Sequence, residues 1–422
     1  MVLIAVFIAL VFFFSLVARR LEQTVITAPI VFTTVGLLIF AMPPWLSELE
    51  VNRKAFLLIA EVGLVMTLFT EAAEIDLHML KGNRRLVMRL LTTGMLLTIF
   101  LGAVGALVVL GGLSLWEAGI LAAILAPTDA GLGQVIVNSP RVPRNIRQVL
   151  SVEAGLNDGL AVPFLMVFIA LALHTEERAG AVLLRFLAEQ LGYGALIGLG
   201  IGLIGGGLLG FAERRKWMAE RLQQLGLVAL PLLCVMASEA VHASMFIAAF
   251  LAGLVVQVGF HNAGKRSTEF TENWGQLLNF FVFFLFGLFV AQVWTYFTVA
   301  LTLYAVLSLT LIRMIPVALA LAGTGLSPAT LLFVGWFGPR GLASIVLGLV
   351  YLEGQANLPG ESTIRLAVMA TVLVSIFAHG LSAIPGIELY ARRIARLPRS
   401  APEHQATNEK LSWDPAGENP ST

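Results

Sequence analysis

The sequence predicts an all-α, polytopic membrane protein with about thirteen transmembrane helices. Hydrophobic residues make up 58% of the 422 residues and charged residues only 13%, whereas a soluble domain typically has about 25% charged residues. The mean hydropathy is +0.87, and apolar segments of about 20 residues, the length that crosses a bilayer, recur along the chain. This much apolar surface excludes a soluble globular protein and predicts that the chain is embedded in lipid.

The candidate spans follow one another from the first residues to position 387. The first segment lacks a polar leading region and a cleavage signal, so it is predicted to remain as a helix. In the seventh segment, glycines at every fourth position from 194 to 210 predict a close helix contact. The segments lie near residues 2–18, 24–42, 55–73, 86–111, 115–138, 147–173, 190–212, 222–241, 243–260, 273–294, 297–322, 328–352 and 363–387.

Basic residues indicate the orientation of these spans. Most of the 27 Lys and Arg residues fall in every second loop and in the C-terminal tail, and short cytoplasmic loops collect such residues. The alternation predicts an external N-terminus and a cytoplasmic C-terminus. The protein is therefore predicted to be a multi-pass protein of the cell membrane, plasma or inner, with an odd number of helices.

Composition and motifs exclude several partners. A net charge of +1 supplies no basic face for nucleic acid, and the single cysteine, Cys234, excludes a disulfide framework and a thiolate metal site. The absence of a Walker A motif argues against a nucleotide, no cofactor is predicted, and the protein is not predicted to be an enzyme. After residue 390 the chain becomes polar and Pro-containing, which predicts a disordered cytoplasmic tail over residues 391–422.

The fifth segment contains a predicted break beside a carboxylate. Pro127 removes a backbone donor and Gly131 adds conformational freedom, so the helix is predicted to unwind near Thr128 and Asp129. Carbonyls freed in lipid are tolerated only where they line a cavity or bind something. One interpretation is a cation site of carbonyl oxygens, Thr128 and Asp129; the other is a proline kink in which Asp129 bonds to a neighbouring helix.

The sixth segment adds two more carboxylates, Glu153 and Asp158, and the amide of Asn157. Asp158 lies about 16 Å from the cytoplasmic end at 1.5 Å per residue, the same depth as Asp129. Glu153 and Asn157 share one helix face and Asp158 occupies another. A second acidic residue at mid-depth favours the ion-site interpretation, and we expect Glu153 and Asp158 to have different partners.

The twelfth segment contains a second break at Gly338, Pro339 and Gly341, with Arg340 between them. The fifth and twelfth segments are seven apart, so they run in opposite directions across the membrane. This pattern predicts a transporter of inverted repeats whose two broken helices cross at mid-membrane. Arg340 stays charged and needs an anion, for which Glu153 is the candidate; the competing interpretation is that Arg340 takes part directly in ion binding.

Other charged residues within or near the spans carry weaker signals. Glu71, Glu74 and Asp76 at the end of the third span are interpreted as a solvated edge, with a cation-attracting funnel as the alternative. His379 is interpreted as a packing histidine, and Arg313 is expected to pair with a carboxylate that the sequence does not identify.

Taken together, these motifs resemble a known family. Thr128-Asp129, the stretch from Glu153 to Asn157-Asp158, and the twelfth-segment stretch 338–343 resemble the sodium/proton exchangers of the monovalent cation:proton antiporter-1 family. The resemblance implies that Asp158 binds the cation or proton, with Asp129, Glu153 and the Thr128 main-chain carbonyl nearby. It also implies that Asn157 marks electroneutral one-for-one exchange, with Na⁺ at Asp129 and Asp158 as a transported ion only.

The resemblance also implies an architecture. Residues 1–390 are expected to form a transmembrane antiporter domain, with core helices near 86–173 and 297–387 that move against dimer and scaffold helices near 2–73 and 190–294. A homodimer in the lipid bilayer is the expected assembly. One residue departs from the family pattern: Ala154 stands where many relatives have a serine that contacts the ion. Ser151, one turn lower, is the candidate extra ligand.

The expected function is exchange of Na⁺, or of Li⁺ or K⁺, for H⁺ by alternating access, with a role in pH homeostasis. Sodium and protons are expected to compete for Asp158 and Asp129, and the core is expected to move only when that charge is neutralised. A K⁺/H⁺ antiporter of the same family is one alternative. The others are an intramembrane aspartyl protease with an Asp dyad and a passive channel without proton coupling.

Overall fold

The computed structural model describes residues 2–21, 24–39, 53–75, 79–173, 188–260, 269–353, 358–398 and 400–404. All regular structure within these ranges is helical. By length and composition, nine helical stretches of the described residues are apolar enough to cross a membrane, and shorter apolar helices accompany them. The polytopic all-α architecture predicted from the sequence is therefore confirmed.

Each of the thirteen predicted segments contains a helix. A π-helical turn at Leu90–Gly94 joins α4 to α5, and another at Ala188–Tyr193 precedes α9. The α-helices are α1 (Val2–Leu21), α2 (Ala28–Ile39), α3 (Arg53–Glu74), α4 (Met79–Arg89), α5 (Met95–Val109), α6 (Leu115–Ile124), α7 (Ala130–Val137), α8 (Arg144–Leu173), α9 (Gly194–Arg214), α10 (Glu220–Ala240), α11 (Met245–Gly259), α12 (Glu269–Val293), α13 (Val299–Leu309), α14 (Leu311–Ala320), α15 (Pro328–Trp336), α16 (Leu342–Glu353) and α17 (Glu361–Ile394).

Both predicted helix breaks are confirmed. The fifth segment is divided into α6 and α7 by non-helical residues 125–129, and the twelfth into α15 and α16 by residues 337–341. Each break contains a proline, Pro127 or Pro339, which cannot donate a helical hydrogen bond. The chain therefore has four half-helices whose inner ends meet inside the protein.

A third interruption, at Thr310, was not predicted. The eleventh segment is expected to be one helix over 297–322, but α13 ends at Leu309 and α14 begins at Leu311. The Thr310 hydroxyl donates to the Val306 carbonyl at 2.7 Å, a local bond of the kind that bends helices. Arg313 follows this interruption on α14 and is buried.

The glycine stripe of α9 packs against α11, as predicted. A Cβ added at Gly198 would lie 2.4 Å from the Ala248 carbonyl oxygen, and one at Gly206 would lie 2.4 Å from that of Val256. Only glycine permits this backbone approach. Helices α2, α3, α9, α10, α11 and α12 pack mainly on one another, and so do α5, α6, α8, α13 and α17, while α3 also contacts α8 and α16.

The start of the predicted disordered tail is wrong. Helix α17 continues to Ile394, and a 3₁₀ turn follows at Pro402–His404. Tyr390 and Ile394 are buried in an apolar cluster, and Glu403 is only 3% exposed. Order therefore extends past residue 390 because apolar residues continue the helix and a polar turn finds buried partners; residues 405–422 lie outside the described ranges.

Candidate functional site

The two helix breaks contact each other directly. The Asp129 amide donates to the Pro339 carbonyl at 2.8 Å. The Arg340 guanidinium Nη1 donates to the carbonyls of Ala126 at 2.6 Å and Pro127 at 2.9 Å. Residues later in the second break thus contact residues earlier in the first. The two unwound segments therefore cross with opposite chain directions, as predicted.

The Asp129 carboxylate caps two half-helices at once. Its Oδ1 accepts from the Leu132 amide at 2.9 Å in the first turn of α7, and its Oδ2 accepts from the Leu342 amide at 2.6 Å at the start of α16. A carboxylate is stabilised at helix N-termini, where unpaired amides carry partial positive charge. Asp129 thus holds the crossing together by bonding to a neighbouring helix, as one of the two interpretations expects, whereas the cation-site interpretation stays a prediction.

Glycine is required opposite this carboxylate. A Cβ at Gly341 would lie 2.0 Å from Asp129 Oδ2, well inside any non-bonded contact. We expect Gly341→Ala to break the bond from Leu342 to Asp129, which as a charge-assisted bond contributes about 1.5–3 kcal/mol, and to lower the thermal unfolding temperature. Gly200→Ala, whose Cβ meets nothing within 4 Å, is the matched control; equal unfolding temperatures for the two variants would contradict this role.

The predicted pairing of Arg340 with Glu153 is wrong. Glu153 instead forms an ion pair with Arg313 at 2.5 Å, with both side chains 3% exposed. Arg340, fully buried, donates instead to the carbonyls of Ala126 and Pro127 in the first break, just beyond the C-terminal end of α6, where a helix carries partial negative charge. Arg313 is thus paired as expected, and its carboxylate is Glu153.

Asn157 fixes the unwound segment to α8. Its Oδ1 accepts from the Thr128 amide at 3.2 Å, and its Nδ2 donates to the Thr128 hydroxyl at 2.6 Å. This pair orients Thr128 by two bonds and uses its amide and hydroxyl, but not its main-chain carbonyl. Glu153 pairs with Arg313 and Asn157 with Thr128, and within the described residues neither is hydrogen-bonded to Asp158.

His379 and its neighbours anchor the second break. His379 Nε2 lies 2.8 Å from the Trp336 carbonyl at the end of α15, and Nδ1 lies 3.1 Å from the Ser375 hydroxyl. That hydroxyl accepts from the Arg340 amide at 2.6 Å. His379 is buried with both ring nitrogens partnered, as the packing interpretation expects.

Asp158 differs from Asp129 and Glu153, whose carboxylates are held by hydrogen bonds or an ion pair. It is 6% exposed, and its Oδ1 is buried without a hydrogen-bond partner among the described residues. Burying an ionised carboxylate without a partner is costly, so this position favours a species that neutralises the charge. Asp158 also lies within electrostatic range of Asp129 and Arg340.

Sequence reasoning did not assign to the site a further carboxylate of this region, Glu71 on α3. Its Oε2 is buried without a hydrogen-bond partner in the described structure, and it interacts electrostatically with Asp158. Gly155 permits this proximity, since a Cβ there would lie 3.3 Å from the Glu71 Cβ. Glu71 is therefore part of a cavity wall and not only a solvated edge. Glu74 is exposed, and Asp76 lies outside the described residues.

These carboxylates line one cavity of about 1120 Å³. Of the predicted site residues, Asp129, Asp158, Thr128, Glu153 and the candidate ligand Ser151 all line it, whereas Asn157 and Arg340 do not. The cavity extends along α8 to its first turn, next to the loop that joins α7 to α8. No three His, Cys, Asp or Glu side chains of the described ranges converge as a resident metal centre would require.

The opposite end of the cavity is sealed by apolar packing. Beyond Asp158 on α8, Ala161, Val162 and Leu165 are completely buried. A Cβ at Gly159 would lie 2.6 Å from the Phe250 ring, so α11 packs tightly against α8 just past the acid. The carboxylate of Asp158 thus lies at the deep end of a cavity that reaches the protein surface on one side.

Comparison with known proteins agrees with this architecture. A family model described as "Sodium/hydrogen exchanger, transmembrane" matches residues 4–387. The chain is 25% identical over 334 residues to Na⁺/H⁺ antiporter 2 of Zygosaccharomyces rouxii, covering 70% of this chain and 40% of that protein. It is 27% identical over 392 residues to the K⁺/H⁺ antiporter NhaP of Alkalimonas amylolytica, covering 90% of this chain and 65% of that protein. The aligned regions therefore span less than two thirds of either relative.

The fold is also found in solved structures. The sodium proton antiporter MjNhaP1 from Methanocaldococcus jannaschii superposes with a TM-score of 0.74 at 22% identity, covering 90% of this chain and 99% of that one. At this identity the likeness describes the fold alone. The family match extends over nearly the whole chain and includes both broken helices, so the chain belongs to the transmembrane sodium/hydrogen exchanger family.

Proposed function

We propose that this protein exchanges a monovalent cation, Na⁺ in the first instance, for H⁺ by alternating access. The observation that carries the proposal is the Asp158 carboxylate, which lines the cavity and whose buried Oδ1 has no hydrogen-bond partner among the described residues. The family is one of transporters, and the relatives are named as Na⁺/H⁺ and K⁺/H⁺ antiporters.

The charges around the site support one-for-one exchange. Glu153 is committed to Arg313, and both oxygens of Asp129 cap half-helices. Asn157 adds no charge. Glu71 lies on α3, outside the proposed moving core. Asp158 is then the exchangeable acid of the core, and one proton or one monovalent cation neutralises it. An ionised, empty site opposes movement past an apolar seal because a bare charge in low dielectric is costly.

Access supports the same mechanism. The cavity reaches the side of the membrane on which α8 begins, which the distribution of basic residues predicts to be cytoplasmic. We propose that this is the inward-facing state, and that the core containing α5 to α8 and α13 to α17 moves against the remaining helices to expose Asp158 outside. A homodimer is the assembly we propose, in which α1 and α9, the long helices least buried within the chain, contact lipid or the second subunit.

The alternative functions fit the site less well. An aspartyl protease needs two carboxyls that share a proton, whereas both Asp129 oxygens accept backbone hydrogen bonds. A passive channel requires a continuous path, but the cavity ends at buried apolar residues of α8. A K⁺/H⁺ antiporter shares the proposed chemistry and differs only in ion preference.

Purified protein in liposomes tests the proposal. A pH dye inside the vesicles would report proton movement after addition of Na⁺, Li⁺ or K⁺ in turn, with the membrane potential clamped at several values. We expect cation-dependent proton movement whose rate is independent of potential. Conductance without proton movement would indicate a channel, and a strong dependence on potential would exclude electroneutral exchange.

Ala154 provides a prediction about ion affinity. It lines the cavity one turn from Asp158 and is 8% exposed. A serine there adds a hydroxyl oxygen beneath Asp158 at little steric cost. We expect Ala154→Ser to lower the apparent KM for the cation about three- to tenfold, the effect of one hydrogen-bond-sized interaction. Ala154→Cys is the control, because the thiol is similar in size to the hydroxyl but its sulfur is a weaker ligand for the cation. Equal KM values for the Ser and Cys variants would argue against a ligand role.

A further inference from the structure

The two broken helices begin with different versions of the same cap. At the start of α6, the Ser114 amide donates to Glu117 Oε2 at 2.8 Å, and the Glu117 amide donates to the Ser114 hydroxyl at 3.2 Å. This reciprocal arrangement is a capping box, in which the third helical residue supplies the carboxylate. The other Glu117 oxygen accepts from the Gly360 amide at 2.6 Å, so the cap also binds the segment that leads into α17.

Helix α15 has the same cap without its own carboxylate. Ser327 is the N-cap residue, and its hydroxyl accepts from the Thr330 amide at 3.3 Å. Thr330 occupies the position of Glu117, and its short side chain does not serve the N-cap amide. That amide donates instead to Glu403 Oε1 at 2.7 Å, a residue 76 positions further along the chain.

The segment around Glu403 connects three helices of the site. The Thr330 hydroxyl donates to Glu403 Oε1 at 2.7 Å and lies 3.0 Å from the Tyr390 hydroxyl on α17. Asn145 Nδ2, in the first turn of α8, donates to the Pro402 carbonyl at 3.0 Å. Helix α15 ends at the second break and α8 contains Asp158, so this segment binds the outer ends of the elements that form the site.

Glu403 is suited to this position by its charge. Burial alone would raise the pKa of this carboxyl, but the hydrogen bonds from Ser327 and Thr330 outweigh burial and hold the pKa below its usual value. The side chain is therefore ionised at neutral pH. A negative charge at the N-terminus of α15 also interacts favourably with the helix dipole.

We propose that Glu403 is a positioning residue for transport: it supplies, from the C-terminal segment, the carboxylate that completes the capping box of α15. This contact fixes the register of α15 against α8 and α17, and so the position of the second break. The test of this role by transport rests on the proposed exchange function, whereas the test of the cap itself does not. The C-terminal segment is thereby part of the transport core and not an appendage to it.

Four variants test the proposal: Glu403→Ala, Glu403→Gln, the double variant Glu403→Ala with Thr330→Glu, and Glu388→Ala. The double variant restores the carboxylate at the position that Glu117 has in α6. Gln retains an acceptor oxygen, and its amide nitrogen replaces Oε2, which has no partner within the described residues. Glu388 is an exposed acid on α17 and serves as the control.

Hydrogen exchange of the amides at Ser327 and Thr330, in the purified full chain, reports the cap directly. We expect Glu403→Ala to accelerate exchange of these amides about fivefold, the effect of losing one N-cap, while Gln stays within about twofold of wild type. The double variant should recover most of the protection. Unchanged exchange in Glu403→Ala, or no recovery in the double variant, would overturn the proposal.

The rate of transport in liposomes reports whether the α15 cap positions the second break. We expect Glu403→Ala to lower the maximal rate about fivefold with an unchanged KM for the cation, and the Gln and double variants to recover it. A rate equal to wild type in Glu403→Ala, or a change in KM alone, would also overturn the proposal. If the wild-type chain itself shows no exchange, the proposed function fails, and the hydrogen-exchange comparison still decides the role of Glu403.

Discussion

Liposomes that contain the Asp158→Asn variant are expected to show no proton movement on addition of Na⁺, Li⁺ or K⁺. Asparagine has the size and shape of aspartate but neither ionises nor binds a proton at the pH of the assay, so the exchangeable charge is lost. The same change removes a buried carboxylate without a hydrogen-bond partner at Oδ1, which is costly to bury. We therefore expect the thermal unfolding temperature to stay equal or rise.

This opposite effect on activity and stability distinguishes an ion-binding residue from a structural one. Substitution of a residue needed for folding would lower both the transport rate and the unfolding temperature. Glu388→Gln, an equally conservative change at an exposed acid, is the control and should retain the wild-type rate. Cation-driven proton movement in Asp158→Asn, measured with the same dye and protein density, would refute the assignment of Asp158.

The Glu153→Gln variant is expected to lose about 3–5 kcal/mol of stability, because it leaves the Arg313 charge buried and uncompensated. Thermal unfolding in detergent, followed by the fraction that remains monodisperse, would show this as a large fall in the unfolding temperature. Replacing both partners by apolar residues, Glu153→Leu with Arg313→Met, should restore most of the stability, since a buried ion pair is replaceable by packed apolar groups.

An exposed ion pair on the same protein provides the matched control. Arg141 and Glu388 lie 3.4 Å apart with side chains 62% and 47% exposed, and such pairs contribute about 0–1 kcal/mol. Glu388→Gln should therefore leave the unfolding temperature nearly unchanged. If Glu153→Gln were as stable as Glu388→Gln, the buried pair would not be the structural element that its geometry indicates.

The two helix breaks were predictable from the sequence because their cause is local. Pro127 and Pro339 each remove a donor within an apolar segment, and neighbouring glycines relax the backbone. The mid-depth position of Asp129 and Asp158 also follows from counting residues along a helix. Even the separation of Glu153 from Asp158 by helix face required no tertiary information.

The hydrogen-bond and ion-pair partners of the charged residues were not predictable, because they depend on tertiary packing and not on the local sequence. Arg340 and Arg313 both lie in predicted spans, and only the tertiary fold, which brings Arg313 on α14 to Glu153 on α8, decides which arginine pairs with Glu153. Glu71 precedes basic residues at the end of a span and so resembles a solvated edge, although its Oε2 is buried. Glu403 lies in a polar, Pro-containing stretch whose partners, Ser327 and Thr330, are more than seventy residues away.

The double attachment of Asp129 has a consequence for how the protein moves. One carboxylate binds the starts of α7 and α16, and Arg340 binds the Ala126 and Pro127 carbonyls of the first break. Each proline break would by itself be a flexible joint, but bending at either break would break these hydrogen bonds. In the proposed exchange cycle the crossed half-helices would therefore move as one rigid body, and we expect the spacing between Leu132 and Leu342 to be the same in the inward-facing and outward-facing states.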